Sequence, residues 1–267
     1  MLDLKQLTAD VCRIATEVGH FLKEERKNFR RERVVEKHAH DYVSYVDKES
    51  EVCVVKALTA LLPEAGFITE EGSAIYQDEP YCWVIDPLDG TTNYIHDEAP
   101  YCVSIALRSR TELLLGVVYE VCRDECFYAW KGGKAFMNGE EIHVSNVENI
   151  KDAFVITELP YNHLQYKQTA LHLIDQLYGV VGGIRMNGSA AAAICYVAIG
   201  RFDAWMEAFL GKWDYSAAAL IVQEAGGKVT NFYGEDHFIE GHHILATNGN
   251  LHPFFQKLLA EVPPLNI

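Results

Sequence analysis

Between positions 81 and 94 the chain reads Tyr-Cys-Trp-Val-Ile-Asp-Pro-Leu-Asp-Gly-Thr-Thr-Asn-Tyr, the stretch around which the rest of the chain is arranged. Residues 81–85 form a short aromatic and β-branched run, the composition of a buried strand. Pro87 has no N–H to give a sheet ladder, so the strand is expected to stop at Asp86. Asp89 follows, and then Gly90, which can take a positive φ or let a ligand approach the backbone. Thr91, Thr92, Asn93 and Tyr94 read as the first turn of a helix. Two carboxylates therefore stand at a strand end, beside a glycine turn whose amides open towards a helix start. Carboxylates and turn carbonyls are hard oxygen ligands for Mg²⁺, and free helix-start amides attract phosphate. The pairing points to metal-assisted phosphate chemistry. The same Asp-Pro-x-Asp-Gly composition also describes an ordinary solvated turn, and further acids elsewhere decide between the two.

At 267 residues the chain is long enough to bury a large core, as one large domain or two tightly joined ones. Its 49% hydrophobic and 23% charged content are those of an ordinary globular protein. A net charge of −15 argues against broad binding to nucleic acid or acidic membranes by bulk electrostatics. An anionic substrate is still accommodated, because bound divalent metals reverse the local field. The cysteines (Cys12, Cys53, Cys82, Cys102, Cys122, Cys126 and Cys195) are scattered and mostly embedded in apolar runs, which fits buried free thiols better than a disulfide framework. Cys122 and Cys126 lack a second Cys/His pair that would complete a zinc site. The first residues do not have the layout of a signal peptide, and no apolar run is long enough to cross a membrane, so a cytoplasmic protein is expected.

Along the chain, Leu7, Val11, Ile14, Val18, Phe21 and Leu22 predict an amphipathic first helix. The basic stretch at 23–37 carries Arg26, Lys27, Arg30, Arg31 and Arg33, with four glutamates interleaved, and reads as a solvated helix end or, alternatively, a partner patch. His38-Ala-His40 lies in an extended segment read as a solvent-facing lid. Asp47 stands where a helix should start, as N-cap or as a residue orienting a metal-bound water. A short strand at 67–69 runs into Glu70-Glu71-Gly72. Three strands with short turns at 103–107, 113–121 and 125–130 predict antiparallel pairing, and Lys131-Gly-Gly-Lys134 is a turn without Walker spacing. From about residue 150, short strands alternate with helical runs, the pattern of an α/β half. There Gly188-Ser189-Ala190 opens a small-residue helix, which permits close packing or ligand approach, and Trp213-Asp214 opens another that ends Glu224-Ala-Gly-Gly227. Asp214 is a helix-start partner or a metal ligand.

Taken together, Trp83-Val-Ile-Asp-Pro-Leu-Asp-Gly-Thr-Thr-Asn-Tyr94, Trp213-Asp214 with its helix, Glu70-Glu71, Asp47, Gly188-Ser189-Ala190 and Glu207 resemble the inositol monophosphatase family of lithium-sensitive, Mg²⁺-dependent phosphatases. The resemblance runs from the first helix almost to the end of the chain. It implies a five-layer α-β-α-β-α sandwich of the inositol monophosphatase and fructose bisphosphatase type, with an antiparallel sheet in the first half and a second α/β half, usually dimeric. On that pattern residues 1–267 form a single domain, with a metal and phosphate subregion to about residue 150 and a substrate and dimer subregion from 151. Glu70, Asp86 and the Leu88 carbonyl would hold one Mg²⁺; Asp86, Asp89 and Asp214 a second; a third, weaker ion would sit near Glu70. The phosphate would rest on the Gly90 and Thr91 amides, and Glu70 with the Thr91 hydroxyl would activate the water, without a covalent intermediate.

Thr92-Asn93-Tyr94 is similar to the inositol-phosphatase branch, and Glu207, Ser189 and Ala190 match the positions that bind a polyol. Glu36-Lys-His-Ala-His40 departs from the family's lid, which often reads Lys-Ser-Ser-Pro. The resemblance implies hydrolysis of a small phosphate ester, myo-inositol monophosphate or a related polyol phosphate. The alternatives are fructose bisphosphate, histidinol phosphate or a 3′-phosphonucleotide. The rival from another class is a binding protein that docks onto a transcription or RNA complex through the basic stretch, although the net charge disfavours direct nucleic-acid binding.

Overall fold

A computed structural model describes residues 2–38, 41–161 and 163–262. The chain begins with α1 (Leu4–Lys27), then a small hairpin of β1 (Val35–His38) and β2 (Asp41–Val43), and α2 (Tyr45–Leu61). Ala39 and His40, the end of the expected lid, lie outside the described residues. Next come β3 (Ala65–Thr69), β4 (Tyr81–Asp89) and the short α3 (Thr91–His96). A meander follows: β5 (Cys102–Ser109), β6 (Leu113–Glu120), β7 (Glu125–Trp130), β8 (Ala135–Met137) and β9 (Glu140–Glu141). The second part contains β10 (Phe154–Thr157), α4 (Lys167–Leu177), β11 (Gly183–Arg185), α5 (Ala190–Ala198) and β12 (Ala204–Ala208). It ends with α6 (Lys212–Glu224), β13 (Lys228–Thr230), β14 (His243–Thr247) and α7 (His252–Ala260).

Among the described residues, β3 to β9 form one sheet in chain order, and a second sheet is ordered β11-β10-β12-β14-β13. The first is antiparallel except that β3 runs parallel to β4. The second is mixed: β10 is parallel to both neighbours, and β14 is antiparallel to β12 and β13. Leu7, Val11, Val18 and Leu22 of α1 and Val54 and Leu58 of α2 bury against Trp83, Ile85, Val103 and Val117 on one face of the first sheet. Its other face packs Val84, Ala106 and Val118 against α5 and α6, whose inner surface also meets Trp205, Ile244 and Ala246 of the second sheet. Beyond that sheet, Leu173 and Leu177 of α4 and Phe255 and Leu259 of α7 cover Val155, Met206 and Leu245. The layers are therefore α-β-α-β-α, as the resemblance implies. Alanine-rich stretches at 190–193 and 217–219 let the central helices lie close to both sheets.

Two local expectations are corrected. The strand does not stop at Pro87: β4 continues to Asp89, with a register shift between Asp86, opposite Ser104, and Asp89, opposite Cys102. The extra residue makes a bulge, where proline's missing donor is harmless. Asp47 is also not the N-cap of α2. Ser44 caps it, and Asp47 closes the capping box by accepting from the Ser44 amide at 2.8 Å.

Candidate active site

The bulge aims the acids. In a regular strand, residues three apart face opposite sides; the extra residue turns Asp86 and Asp89 to the same side. Asp214, near the start of α6, comes in from the second part of the chain, and one carboxylate oxygen from each of Asp86, Asp89 and Asp214 lies within 4.8 Å of the others. Glu70, directly after β3, lines the same cavity of about 200 Å³, with Leu88, Gly90, Thr91 and Gly188. Parallel pairing of β3 with β4 brings Glu70 here, its amide bonding the Ile85 carbonyl at 3.3 Å.

Burial drives the Asp86 carboxyl well above the usual carboxylate range, and the charges of Glu70, Asp89 and Asp214 push it further. Asp89 is also raised by burial, against the opposing pull of its donors. Those donors are the Ser189 hydroxyl at 2.5 Å and the Ala191 amide at 2.8 Å to one oxygen, and the Ala190 amide at 3.3 Å to the other. Cys102, a buried free thiol as expected, donates to Asp89 at 3.5 Å. Like charges packed together away from water call for a cation, and no Lys or Arg is among the described residues lining the cavity. The donor set is all oxygen, which suits a hard divalent metal.

Beside the acids, Gly90 adopts φ +91°, and a Cβ there would meet the Pro100 carbonyl at 3.0 Å and the Gly188 carbonyl at 3.3 Å. The Thr91 hydroxyl is 2.9 Å from an Asp47 oxygen and 3.1 Å from the Leu88 carbonyl. Asp47 is buried behind Thr91, held by the Ser44 hydroxyl at 2.6 Å, and burial raises its pKa. The Leu88 amide donates to Asp86 at 2.9 Å, which stiffens the bulge.

A larger cavity of about 1080 Å³ adjoins the acids and is lined by Ser189, Ala190 and Glu207 as well as Asp89, Gly188 and Asp214. Glu207, on β12, is pushed well above its usual range by burial and by the charges of Glu158, Asp214 and Asp89. Every residue that the resemblance assigned to metal, phosphate, water or alcohol thus lies on one of the two cavities, except Asp47, which stands behind Thr91.

Three further residues escaped that reading. Tyr42 of β2 lines both cavities. Glu51, one turn after Asp47 on α2, accepts the Glu71 and Ser73 amides at 2.8 Å each and so holds the turn that carries Glu70. Glu158, directly after β10, is buried and accepts the Asn187 amide at 2.7 Å and the Gly188 amide at 3.2 Å through one oxygen. Burial lifts its pKa to about 7 against those two donors. An acid immediately after a short apolar run in the sequence, as at Glu70 and Asp86, is the signal that marks Glu158.

A model of the inositol monophosphatase family matches residues 3–263. The chain belongs to the inositol monophosphatase family. The Nus factor SuhB of Pseudomonas aeruginosa is 40% identical over 236 residues, covering 86% of this chain and 86% of that protein. An inositol monophosphatase of Dictyostelium discoideum is 35% identical over 273 residues, covering 99% of both. The crystal structure of the extragenic suppressor protein suhB from Bartonella henselae superposes with a TM-score of 0.88 at 34% identity, covering 95% of this chain and 98% of that one. The bulge, the acid cluster and the two adjoining cavities are therefore features of an inositol monophosphatase family member. No helix among the described residues is long and apolar enough to cross a membrane.

Proposed function

We propose that this family member is a Mg²⁺-dependent phosphomonoesterase acting on myo-inositol monophosphate or a closely related polyol phosphate. The observation that carries this reading is the convergence of Asp86, Asp89 and Asp214 beside the Gly90 turn. Glu70, Asp86 and the Leu88 carbonyl would hold one Mg²⁺; Asp86, Asp89 and Asp214 a second; a third would sit near Glu70. When bound, the ions neutralise the acids, acidify the attacking water and stabilise the departing alkoxide. The Gly90 and Thr91 amides take the phosphate at the start of α3. Glu70 and the Thr91 hydroxyl, the latter oriented by Asp47, position the attacking water and remove its proton. Gly188, Ser189, Ala190 and Glu207 form the wall that receives the alcohol.

The larger cavity favours a polyol monophosphate over a bisphosphate or a 3′-phosphonucleotide. Its described lining residues include no Lys or Arg to meet a second phosphate, whereas the Glu207 carboxyl can take a hydroxyl. We read residues 1–267 as one domain on the ground that α5 and α6 share a core with both sheets. We also infer a cytoplasmic homodimer. Leu171 on α4, and Tyr178 and Val180 just after it, are exposed large apolar side chains, which supports self-association.

The test is phosphate release from a panel of esters with Mg²⁺, with EDTA and with Li⁺. Inositol phosphate hydrolysis that needs Mg²⁺ and stops with Li⁺ supports the reading. Activity confined to another ester replaces the substrate, and silence across the panel overturns it. The Nus factor name of the Pseudomonas relative favours a second reading, docking on a transcription complex. Direct RNA contact through the basic stretch is the weaker form: Arg26 pairs with Asp97 and lies over Phe29 and Tyr94, and Arg31 bonds His96. Absence of a gel shift with RNA at near-physiological salt retires that form.

A further inference from the structure

The segment at 187–191 is gripped from three separate elements. Glu158 takes the Asn187 and Gly188 amides from the end of β10. The Asn93 side-chain amide, on α3, donates to the Asn187 carbonyl at 2.7 Å and to the Pro100 carbonyl at 2.8 Å. Asp89 accepts from Ser189, Ala190 and Ala191. Gly188 has φ +73°, and a Cβ there would come within 2.9 Å of Asn93 Oδ1. On its other side the Gly188 carbonyl backs onto Gly90, the turn beside the acids. The position of Gly188 therefore bears at once on the phosphate turn, on the alcohol wall and on Asp89.

We propose that Glu158 is a positioning residue for the reaction, clamping the Asn187–Gly188 peptide so that the wall of the cavity and the Gly90 turn keep their places. The inference rests on the phosphatase reading given above. Its physical basis is that a buried carboxylate oxygen accepting two amides is a stiff anchor, since either donor released inside the protein is left unpaired. A displacement of the wall of about 1 Å lowers turnover by about 100-fold when the reacting groups must be aligned.

The experiment is steady-state kinetics on inositol-1-phosphate with saturating Mg²⁺ for the wild type, Glu158→Ala, Glu158→Gln and Asn93→Ala, with amide hydrogen exchange at 187–188 on the same proteins. In Glu158→Ala, kcat is expected to fall by about 10- to 100-fold with KM changed less than about threefold, and the two amides to lose protection. Glutamine keeps an acceptor oxygen, so Glu158→Gln is expected to recover kcat to within about threefold and to keep the protection. Asn93→Ala, which loosens the same peptide from the other side, is expected to reproduce the kcat loss; should Glu158→Ala fail to fold, a Glu158→Gln that loses the protection at 187–188 without losing kcat overturns the role. An active wild type with unchanged kcat in Glu158→Ala, or a loss confined to KM, overturns the positioning role alone. A wild type that releases no phosphate overturns the phosphatase reading and this one with it.

Discussion

The Thr91 hydroxyl lies 2.9 Å from an Asp47 oxygen, although the two residues are 44 positions apart. Asp47 serves two structures at once, since its other oxygen closes the capping box of α2. Asp47→Ala is expected to reduce kcat by about 100-fold through loss of Thr91 orientation. It should also lower stability by about 1–2 kcal/mol through loss of its half of the capping box. Urea unfolding beside steady-state kinetics separates the two effects, and a stability loss without a rate loss would leave Asp47 a capping residue only.

Asp89→Asn and Asp214→Asn remove charge from the acid cluster while preserving shape. Residues that merely support metal ligands change activity by about 10- to 100-fold, so each of these should lower kcat by more than about 100-fold with the far-ultraviolet circular dichroism unchanged. Near-normal turnover in either would refute the two-metal assignment.

Stability should depend on pH in opposite senses with and without metal. Asp86, Asp89 and Glu207 have folded pKa values raised above their unfolded ones, and Glu158 is raised to about 7. In EDTA the folded state thus holds protons that the unfolded chain has released. That contribution is fully present below the unfolded carboxylate range and is lost as pH rises through the folded values. Mg²⁺ needs the ionised carboxylates, so the rise in Tm it produces should grow with pH. Thermal melts in EDTA and in Mg²⁺ from acid to mildly alkaline pH check both slopes; a Mg²⁺ effect independent of pH would count against carboxylate ligation.

Glu207→Ala should alter preference rather than metal binding. Losing one hydrogen bond between the Glu207 carboxyl and a substrate hydroxyl changes the ratio of kcat/KM between polyol phosphates by about tenfold. Calorimetric titration with Mg²⁺ should remain unchanged. Weakened Mg²⁺ binding with unchanged preference would mean that the alcohol sits elsewhere.

Much of the site was legible because local rules write it. The aromatic run and Gly90 mark a strand that leads into a turn with two acids, although Pro87 set its end too early, and the Trp213-Asp214 pair marks a helix start. The helical periodicity of α1 and the β-branched runs of β4 to β7 follow from burying one face or both, so they too were readable. The short strands β8, β9 and β13 carry too few residues for any periodicity and were not foreseen. Nor was the bulge, which exists only because β5 offers one residue fewer than β4 between the paired positions.

The sequence by itself determined which residues have the chemistry: hard oxygen donors, a glycine turn beside them, and an acid on a later strand. Only the tertiary structure decided how they act together. Asp89 meets Ala191 across 102 positions, and Glu158 meets Asn187 across 29. Such pairings depend on the crossing of sheets and helices, and no local propensity encodes them. A buried carboxylate must find donors wherever packing presents amides, and those meeting points are set by the whole fold.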